Sequence, residues 1–444
     1  MNKEFHKKQN FFSFSDIDSE RKDRIMKFTS TEATPAPHVP PGVLRLTGAA
    51  KEDIPMYRIQ TMNKISPVGL NRFPSELYEV GDAVQDPQGI LVRSAKLLDL
   101  EFNPSLLAIA RAGVGVNNIP LDRCAAAGIP VFSTPGANAN AVKELVLCAM
   151  LMGSRDIPGA IRWVREQAAS GVDVSTVVEK GKSAFIGPEL YKKTLGIIGL
   201  GAIGSIVANT AISLGMDVYG YDPFLSVDTA LRLDRHVHVV KDINDLYKRS
   251  DYITMHIHYT EKTAHMIDAS AIAAMKRGVR VINLARGEIV DDEAMLTALD
   301  TGMVAAYITD FPNNRLLTAP HVIAMPHLGA STPESEQNCA AMAVDTLRDY
   351  LESGNIRSSV NLPEMTMDRS GVQRLCVLHK NVPGMLANIT SLFGRDGVNV
   401  ENLSNKSRGD YAYTMVDLGS KVGDNVIEDV RRTANVIRVR SLEW

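Results

Sequence analysis

Cysteine is scarce in this sequence, and its scarcity excludes two kinds of small-domain architecture. The 444 residues contain four cysteines and no CxxC pair; they are Cys124, Cys148, Cys339 and Cys376. Zinc modules and disulfide scaffolds need closer or more numerous cysteines. We therefore predict free, reduced thiols, as in a cytoplasmic protein, and no metal site.

An excess of charge of one sign and long apolar segments are lacking as well. The net charge of −3 gives no general attraction to nucleic acid or to an anionic membrane surface. No apolar run reaches the roughly 18 residues that a membrane-spanning helix requires. The sequence thus predicts neither a nucleic-acid partner nor a membrane partner.

Residues 1–55 lack the hydrophobic periodicity of a folded domain. The segment TEATPAPHVPPG is rich in proline, a composition typical of linkers. The apolar stretch of a secretory signal is missing, and several acidic residues argue against a transit peptide. We predict a disordered extension over residues 1–55.

From residue 56 onward, the sequence alternates between strand and helix patterns. Four strand candidates (MYRIQTMN, GILVRS, LLAIARAG and IPVFST) precede a long helical pattern at Asn138–Arg155. A second block holds GIIGLGAIG and three more buried-strand candidates (DYITMHIH, RVINLAR and HVIAMPH). Such alternation indicates parallel sheets covered by helices.

The last segment, residues 371–444, has a different pattern. Strand and helix signals follow one another in the order β-α-β-β-α-β, which is the ferredoxin-like signature. The predicted fold class is therefore α/β, with two Rossmann-like, doubly wound parallel-sheet domains and a C-terminal ferredoxin-like domain.

The second block carries a dinucleotide-binding motif. Gly199, Gly201 and Gly204 form GxGxxG between an apolar strand and a helix, and Asp222 ends the next strand. These glycines permit a tight turn and close approach of a pyrophosphate, with Ala202 and Ile203 opening the helix. Because Asp222 would accept from ribose hydroxyls and repel a 2′-phosphate, we predict NAD as the cofactor.

Four stretches together carry a family resemblance. They are residues 92–119, GIIGLGAIG, INLARGEIVDDEAM and MPHLGAST. The chain resembles the D-isomer-specific 2-hydroxyacid dehydrogenases, and LHKNVPGMLANI resembles the start of an ACT regulatory domain. The resemblance implies a discontinuous substrate domain over residues 56–139 and 328–362, an NAD domain over 140–327 and an ACT domain over 371–444.

The resemblance also implies an active site at the cleft between the first two domains. Arg286 follows a buried strand, where its guanidinium suits a substrate carboxylate, and His327 is placed as the acid–base group. The same resemblance puts Ala285, Gly329 and Ala330 beside the cofactor.

Substrate-binding positions lie in the first block. Backbone N–H groups of the loop Gly113, Val114 and Gly115 would meet the substrate carboxylate, and Arg93, Ser94 and Arg111 would meet a phosphate. The phosphoglycerate dehydrogenase branch of the family sometimes has a second basic residue where Ala95 stands here. Lys64 or Lys96 would have to compensate for it.

One stretch departs from the family pattern. In TDFPNN, the glutamate that orients the histidine is replaced by Asn314, and the aspartate that meets the nicotinamide is replaced by Thr309. We expect Asp310, one place later, to take over part of both roles, with Glu288 as the weaker alternative. Lys143 near the start of the long helix is interpreted as a solvated surface lysine.

The ACT-like segment adds a regulatory prediction. His379, Asn381 and Asn399 match the L-serine-contact positions of the serine-pathway enzymes that the chain resembles. Together the resemblances imply oxidation of 3-phosphoglycerate, feedback by L-serine and a homo-oligomer, either a dimer or a tetramer. Two alternatives stay open: a dehydrogenase for another 2-hydroxy acid, such as glyoxylate or hydroxypyruvate, and a non-catalytic NAD-sensing protein.

Overall fold

The computed structural model describes residues 56–444, which contain three β-sheets. The extension predicted for residues 1–55 lies outside the described residues. Among the described helices, none is long and apolar enough to cross a membrane.

The first sheet has five parallel strands in the order β2-β1-β3-β4-β5. Every residue of β3 is buried, as expected for a central strand with both faces covered. The sequence patterns found four of these strands and missed β2, in which only Tyr78 is buried. The strands are β1 (Tyr57–Met62), β2 (Tyr78–Gly81), β3 (Gly89–Val92), β4 (Ala108–Arg111) and β5 (Val131–Phe132).

A helix from the far end of the chain covers one face of this sheet. This helix, Pro333–Ser353, packs on a short helix at Pro67–Leu70 so closely that a Cβ on Gly69 would lie 2.6 Å from Ala340. Its residues Leu347 and Tyr350 share one core with the strands. The core of this first unit is therefore built from two segments that are distant in sequence.

The second sheet has seven parallel strands in the order β12-β11-β10-β9-β6-β7-β8. The strand predictions omitted β8 and β11, and they wrongly took β12, a half-buried edge strand, as a buried one. The strands are β6 (Thr194–Ile198), β7 (Asp217–Tyr221), β8 (Val237–Val240), β9 (Tyr252–Met255), β10 (Val279–Asn283), β11 (Val304–Thr309) and β12 (Val322–Ala324).

Helices flank both parallel sheets, so the predicted fold class is confirmed for these two units. In chain order they are α1 (Pro67–Leu70), α2 (Leu121–Ala126), α3 (Ala139–Arg155), α4 (Ile157–Ala169), α5 (Val174–Gly181), α6 (Ala202–Ser213), α7 (Val227–Arg232), α8 (Ile243–Arg249), α9 (Ala269–Ala273), α10 (Asp292–Asp300) and α11 (Pro333–Ser353).

The third sheet is antiparallel, with strand order β14-β15-β13-β16, and the β-α-β-β-α-β prediction is confirmed. Helices α12 and α13 pack on one of its faces. Its elements are β13 (Gln373–Lys380), α12 (Met385–Arg395), β14 (Val400–Arg408), β15 (Tyr411–Leu418), α13 (Asp424–Arg432) and β16 (Val436–Glu443).

The other face of the third sheet joins the core of the first unit through the end of α11. Arg374 donates to the carbonyl of Ser353, and Arg440 donates to the carbonyls of Tyr350 and Leu351. These carbonyls belong to the last helical turn. Those of Leu351 and Ser353 have no partner within the helix, and that of Tyr350 also accepts from the N–H of Gly354. Asp417 neutralises Arg374 in a fully buried ion pair with an N–O distance of 2.6 Å.

Candidate active site

The glycine loop between β6 and α6 has the shape that a dinucleotide needs. Gly199 has a φ of 91°, and a Cβ there would lie 2.6 Å from the carbonyl oxygen of His256. A Cβ on Gly204 would lie 1.9 Å from the carbonyl oxygen of Gly199, so both positions require glycine. A Cβ on Gly201, in contrast, would meet nothing within 4 Å, which leaves room for a pyrophosphate at the helix N-terminus.

Asp222 lies beside this loop and holds it in place. Its Oδ2 accepts from the N–H of Leu200 at 2.9 Å, and its Oδ1 accepts from the N–H of Phe224 at 2.8 Å. Gly201 and Ala202 are exposed at the start of α6, with Ile203 partly buried behind them. The predicted cofactor residues of this motif therefore lie together.

Two arginines, Arg111 and Arg286, reach the loop after β4, and Arg93 lies beside Arg111. The Nε of Arg111 donates to the carbonyl of Arg93 at 2.9 Å. A Cβ on Gly113 would lie 2.9 Å from a terminal nitrogen of Arg111, and a Cβ on Gly115 would lie 3.2 Å from one of Arg286. Burial lowers the pKa of Arg111, and the neighbouring charges of Arg286 and Arg93 lower it further. Such a concentration of positive charge suits an anionic ligand.

Of these three arginines, only Arg93 forms an ion pair within the described residues. Arg93 pairs with Glu336 in the first turn of α11 at an N–O distance of 2.5 Å. Ser94 is exposed, and its N–H donates to Asn63. Lys64 and Lys96 are both exposed, and neither makes a hydrogen bond or ion pair within the described residues that would tie it to Arg93. Ala95 packs partly against the core.

Asn283, at the end of β10, fixes the backbone that carries Arg286. Its amide nitrogen donates to the carbonyl of Arg286 at 2.8 Å, and its oxygen accepts from the N–H of Ala285 at 3.2 Å. Asn283 is fully buried. The sequence analysis did not identify Asn283. Its amide side chain directly follows the apolar residues of VIN, and a polar residue at the end of a buried strand was a signal for it.

The histidine loop lies next to a buried carboxylate. Asp310 is 1% exposed; its Oδ2 accepts from the N–H of Gly329 at 3.0 Å, whereas its Oδ1 has no hydrogen-bond partner. Burial raises the pKa of Asp310, and the neighbouring His327 partly opposes that rise. The His327 ring itself is exposed and lies 4.8 Å from the ring of Phe311 between centroids. Asp310, His327 and Gly329 are thus brought together.

Neither of the two substituted family positions makes a hydrogen bond with His327 among the described residues. Thr309 is buried, and its hydroxyl accepts from the N–H of Phe311 at 3.0 Å. Asn314 is exposed. Its neighbour Asn313 accepts from the N–H groups of Arg315 and Leu316 and so begins a short 3-10 helix at Leu316–Thr318.

A cavity of about 770 Å³ opens beside His327. Asp310 and Glu288 both line it, together with Asp292 and Arg315. Both carboxylates considered as substitutes for the missing glutamate therefore face the space beside the imidazole. Of the two, Asp310 is the buried one.

The comparisons with known proteins agree with this geometry. Residues 147–329 match the model of the family described as D-isomer specific 2-hydroxyacid dehydrogenase, NAD binding domain. The D-3-phosphoglycerate dehydrogenase of Escherichia coli is 31% identical over 380 residues, which cover 82% of this chain and 89% of that protein. This chain belongs to the D-isomer specific 2-hydroxyacid dehydrogenase family. The prediction of NAD as the cofactor is confirmed with it.

Other members of the family match over shorter fractions. The D-3-phosphoglycerate dehydrogenase of Synechocystis is 36% identical over 326 residues, 71% of this chain. The chain spans 55–60% of the length of this and two similar relatives. A NAD⁺-bound 3-phosphoglycerate dehydrogenase of Entamoeba histolytica superposes with a TM-score of 0.54 at 25% identity, over 69% of this chain and 99% of that one.

The predicted regulatory residues lie apart within one chain of this family member. His379 is buried, and both of its ring nitrogens have partners within the chain, the Lys380 carbonyl and the Thr414 hydroxyl. Asn381 is bound to the Gly409 carbonyl before β15, whereas the carbonyl of Asn399 accepts from Gly419 after it. The eight residues of β15 separate the two amides by about 27 Å.

Two further features concern the start of α3. Asn138 was predicted to start the helix, and it does precede the first helical residue, but its side chain makes no capping bond. Lys143 donates to Asn140 at 2.6 Å and lies 4.0 Å from Glu144, but its side chain is only 20% exposed, less than the solvated-lysine interpretation predicts. No group of three His, Cys, Asp or Glu residues within positions 56–444 is arranged to hold a metal ion.

Proposed function

We propose that this protein oxidises D-3-phosphoglycerate to 3-phosphohydroxypyruvate with NAD, the first step of L-serine synthesis. The observation that carries this proposal is the approach of Arg111 and Arg286 to the Gly113–Gly115 loop, with Arg93 beside Arg111. A substrate with a carboxylate and a phosphate has enough negative charge to use all three guanidiniums. The names of the relatives from E. coli and Synechocystis support the same substrate.

Arg286 would hold the substrate carboxylate with the N–H groups of the Gly113–Gly115 loop. Asn283 fixes its backbone, and one guanidinium nitrogen donates to the Ala285 carbonyl at 2.6 Å, so its fork is already positioned in the free chain. Arg111 and Arg93 would meet the phosphate. The cofactor would rest on the Gly199–Gly204 loop, where Gly201 leaves space for its pyrophosphate. Bound NAD supplies the acceptor for the hydride that leaves the substrate carbon.

His327 would accept the hydroxyl proton of the substrate, since an imidazole titrates near neutral pH. Asp310 would stabilise the imidazolium that forms, because it is buried beside His327 and one of its oxygens has no other partner. This assigns to Asp310 the orienting role that Asn314 cannot perform. Phe311, packed against the imidazole, would limit its rotation.

L-serine would act as a feedback effector at the third sheet. Asn381 and Asn399 lie near opposite ends of β15, so a site that uses both needs a second copy of the chain in antiparallel register. In this arrangement His379 would support the site through Thr414 rather than contact serine. The proposed active form is therefore a homo-oligomer, at least a dimer.

One observation favours a second substrate. Arg93 already has a carboxylate partner in Glu336, and Ala95 offers no second basic group. An unphosphorylated 2-hydroxy acid, such as the product of hydroxypyruvate or glyoxylate reduction, would need only Arg286 and the loop.

The test is to mix the purified full chain with NADH and 3-phosphohydroxypyruvate and to follow loss of nicotinamide absorbance, with and without L-serine. We expect kcat/KM for 3-phosphohydroxypyruvate to exceed the values for hydroxypyruvate and glyoxylate, and we expect serine to suppress turnover. The matched variant His327→Asn should bind NADH but lose turnover.

A reversed substrate order would select the second candidate. NADH binding without turnover of any of the three would show a non-catalytic NAD-sensing protein. Turnover unaffected by serine would refute the regulatory part alone.

A further inference from the structure

The segment that links the first sheet to α3 holds two buried polar atoms without a partner. They are the hydroxyl of Thr134, a fully buried residue, and the Oδ1 of Asn138. A buried polar group that lacks a hydrogen bond destabilises a folded chain, so each is expected to have a partner in the working protein. A bound ligand is the candidate for the missing hydrogen-bond partner.

The position of Asn138 is fixed by contacts on both sides. Two residues before it, a Cβ on Gly136 would lie 3.2 Å from the Cβ of Ala202, which opens the dinucleotide helix. One helical turn after it, Val142 Cγ2 lies 3.6 Å from where a Cβ of Gly329 would be. Since residues i and i+4 share a helix face, Asn138 lies between the cofactor loop and the histidine loop.

The cofactor has to cross this gap if the proposed function holds, and the present inference rests on that function. Its pyrophosphate belongs at the N-terminus of α6, while its nicotinamide has to reach the substrate beside His327. The nicotinamide half therefore passes the start of α3. The Oδ1 of Asn138 is an acceptor, and the carboxamide of nicotinamide carries an N–H₂ donor.

We propose that Asn138 is a cofactor-positioning residue whose Oδ1 accepts a hydrogen bond from the nicotinamide carboxamide. This bond fixes the rotation of the nicotinamide ring and hence the face presented to the substrate. The N–H of Thr134 donates to the Gly113 carbonyl in the substrate loop. Its hydroxyl has no role in this proposal.

The test measures binding rather than turnover. We compare the affinities of the full-length wild type and of Asn138→Leu for three ligands. They are NADH, ADP-ribose, which lacks nicotinamide, and reduced 3-acetylpyridine adenine dinucleotide, which lacks the amide N–H₂. We expect Asn138→Leu to weaken NADH binding roughly tenfold and to change the other two affinities less than about twofold.

The matched control is Asn140→Leu. Asn140 lies on the same helix, but it is exposed and bonds only to Lys143 and Glu144, so this variant should bind all three ligands as the wild type does.

Three outcomes would overturn the proposal. The first is an unchanged NADH affinity in Asn138→Leu. The second is a loss of ADP-ribose affinity equal to that of NADH, which would indicate a structural role, and the third is an equal loss for the acetylpyridine analogue, which would exclude the amide as donor. A wild-type chain that binds neither NADH nor ADP-ribose would instead refute the proposed function itself.

Discussion

Asp222 and Asp310 are both carboxylates that follow strands of the same sheet, yet their surroundings differ. Both oxygens of Asp222 accept backbone N–H groups, one from Leu200 and one from Phe224. Asp310 has one backbone partner, Gly329, and one oxygen with none. The first carboxylate is held by its own structural unit, whereas the second retains an unused acceptor beside His327.

We infer from this difference that the two carboxylates have different roles. A carboxylate whose oxygens already accept N–H groups holds a loop in place and presents a fixed negative charge. A buried carboxylate with an unused acceptor is costly unless a cation or donor approaches it, and His327 is the nearby group that becomes a cation during the proposed reaction. Three predictions test this contrast.

The largest effect is expected from Asp310→Asn. The amide keeps a similar shape but cannot stabilise the imidazolium, so kcat should fall about 10³-fold, a much larger change than the change in NADH affinity. Steady-state kinetics and NADH titration measure the two quantities. Asp292→Asn, which changes a carboxylate lining the same cavity, is the control and should retain turnover. If Asp310→Asn turns over normally, the role assigned to Asp310 is wrong.

A smaller effect is expected from Asp222→Asn. The amide oxygen still accepts an N–H, but the charge that repels a 2′-phosphate is gone. Repulsion between two charges 4 Å apart in water is about 1 kcal/mol, so the ratio of kcat/KM for NADPH over NADH should rise roughly five- to tenfold. Asp217→Asn, at the exposed start of β7, should leave that ratio unchanged. An unchanged ratio in Asp222→Asn itself would contradict the cofactor role of this charge.

The smallest effect concerns stability and pH. Burial raises the pKa of Asp310 above its value in the unfolded chain, so the folded state holds this proton to a higher pH. The free energy of unfolding then falls as the pH rises from the unfolded-state pKa of Asp310 to its folded-state pKa. It stays lowered by the full amount at higher pH. Asp310→Asn should therefore raise Tm at pH 7, and the gain should vanish as pH falls below about 3.9. Thermal unfolding across that range measures it; a lower Tm at pH 7 would mean that the charge is compensated.

The sequence predicted those parts of the site that are determined locally. The glycines of the cofactor loop, Asp222 and the βαββαβ unit each depend on neighbouring residues, whose spacing carries the information. Strands β8 and β11 were missed because VHVV is half exposed and VAAYIT was not separated from the loop that follows it.

Contacts between distant segments could not be predicted in the same way. Two such contacts are the ion pair between Glu336 and Arg93 and the approach of Val142 to Gly329. Both depend on how two sheets and a crossing helix are placed in space. Asn138 illustrates the limit. Its position suggested a helix cap, and only the three-dimensional arrangement showed that its oxygen has no partner.

The covering of the first sheet by α11 has a consequence for the order in which the protein is made. The hydroxyl of Tyr57 donates to the carbonyl of Leu351, 294 residues later. At about 5–20 residues per second, roughly 15–60 s of synthesis separate these two partners. During that time the strands that Leu347 and Tyr350 will cover have left the ribosome without their helix, so this unit is completed only after the NAD domain between its two segments has been synthesised.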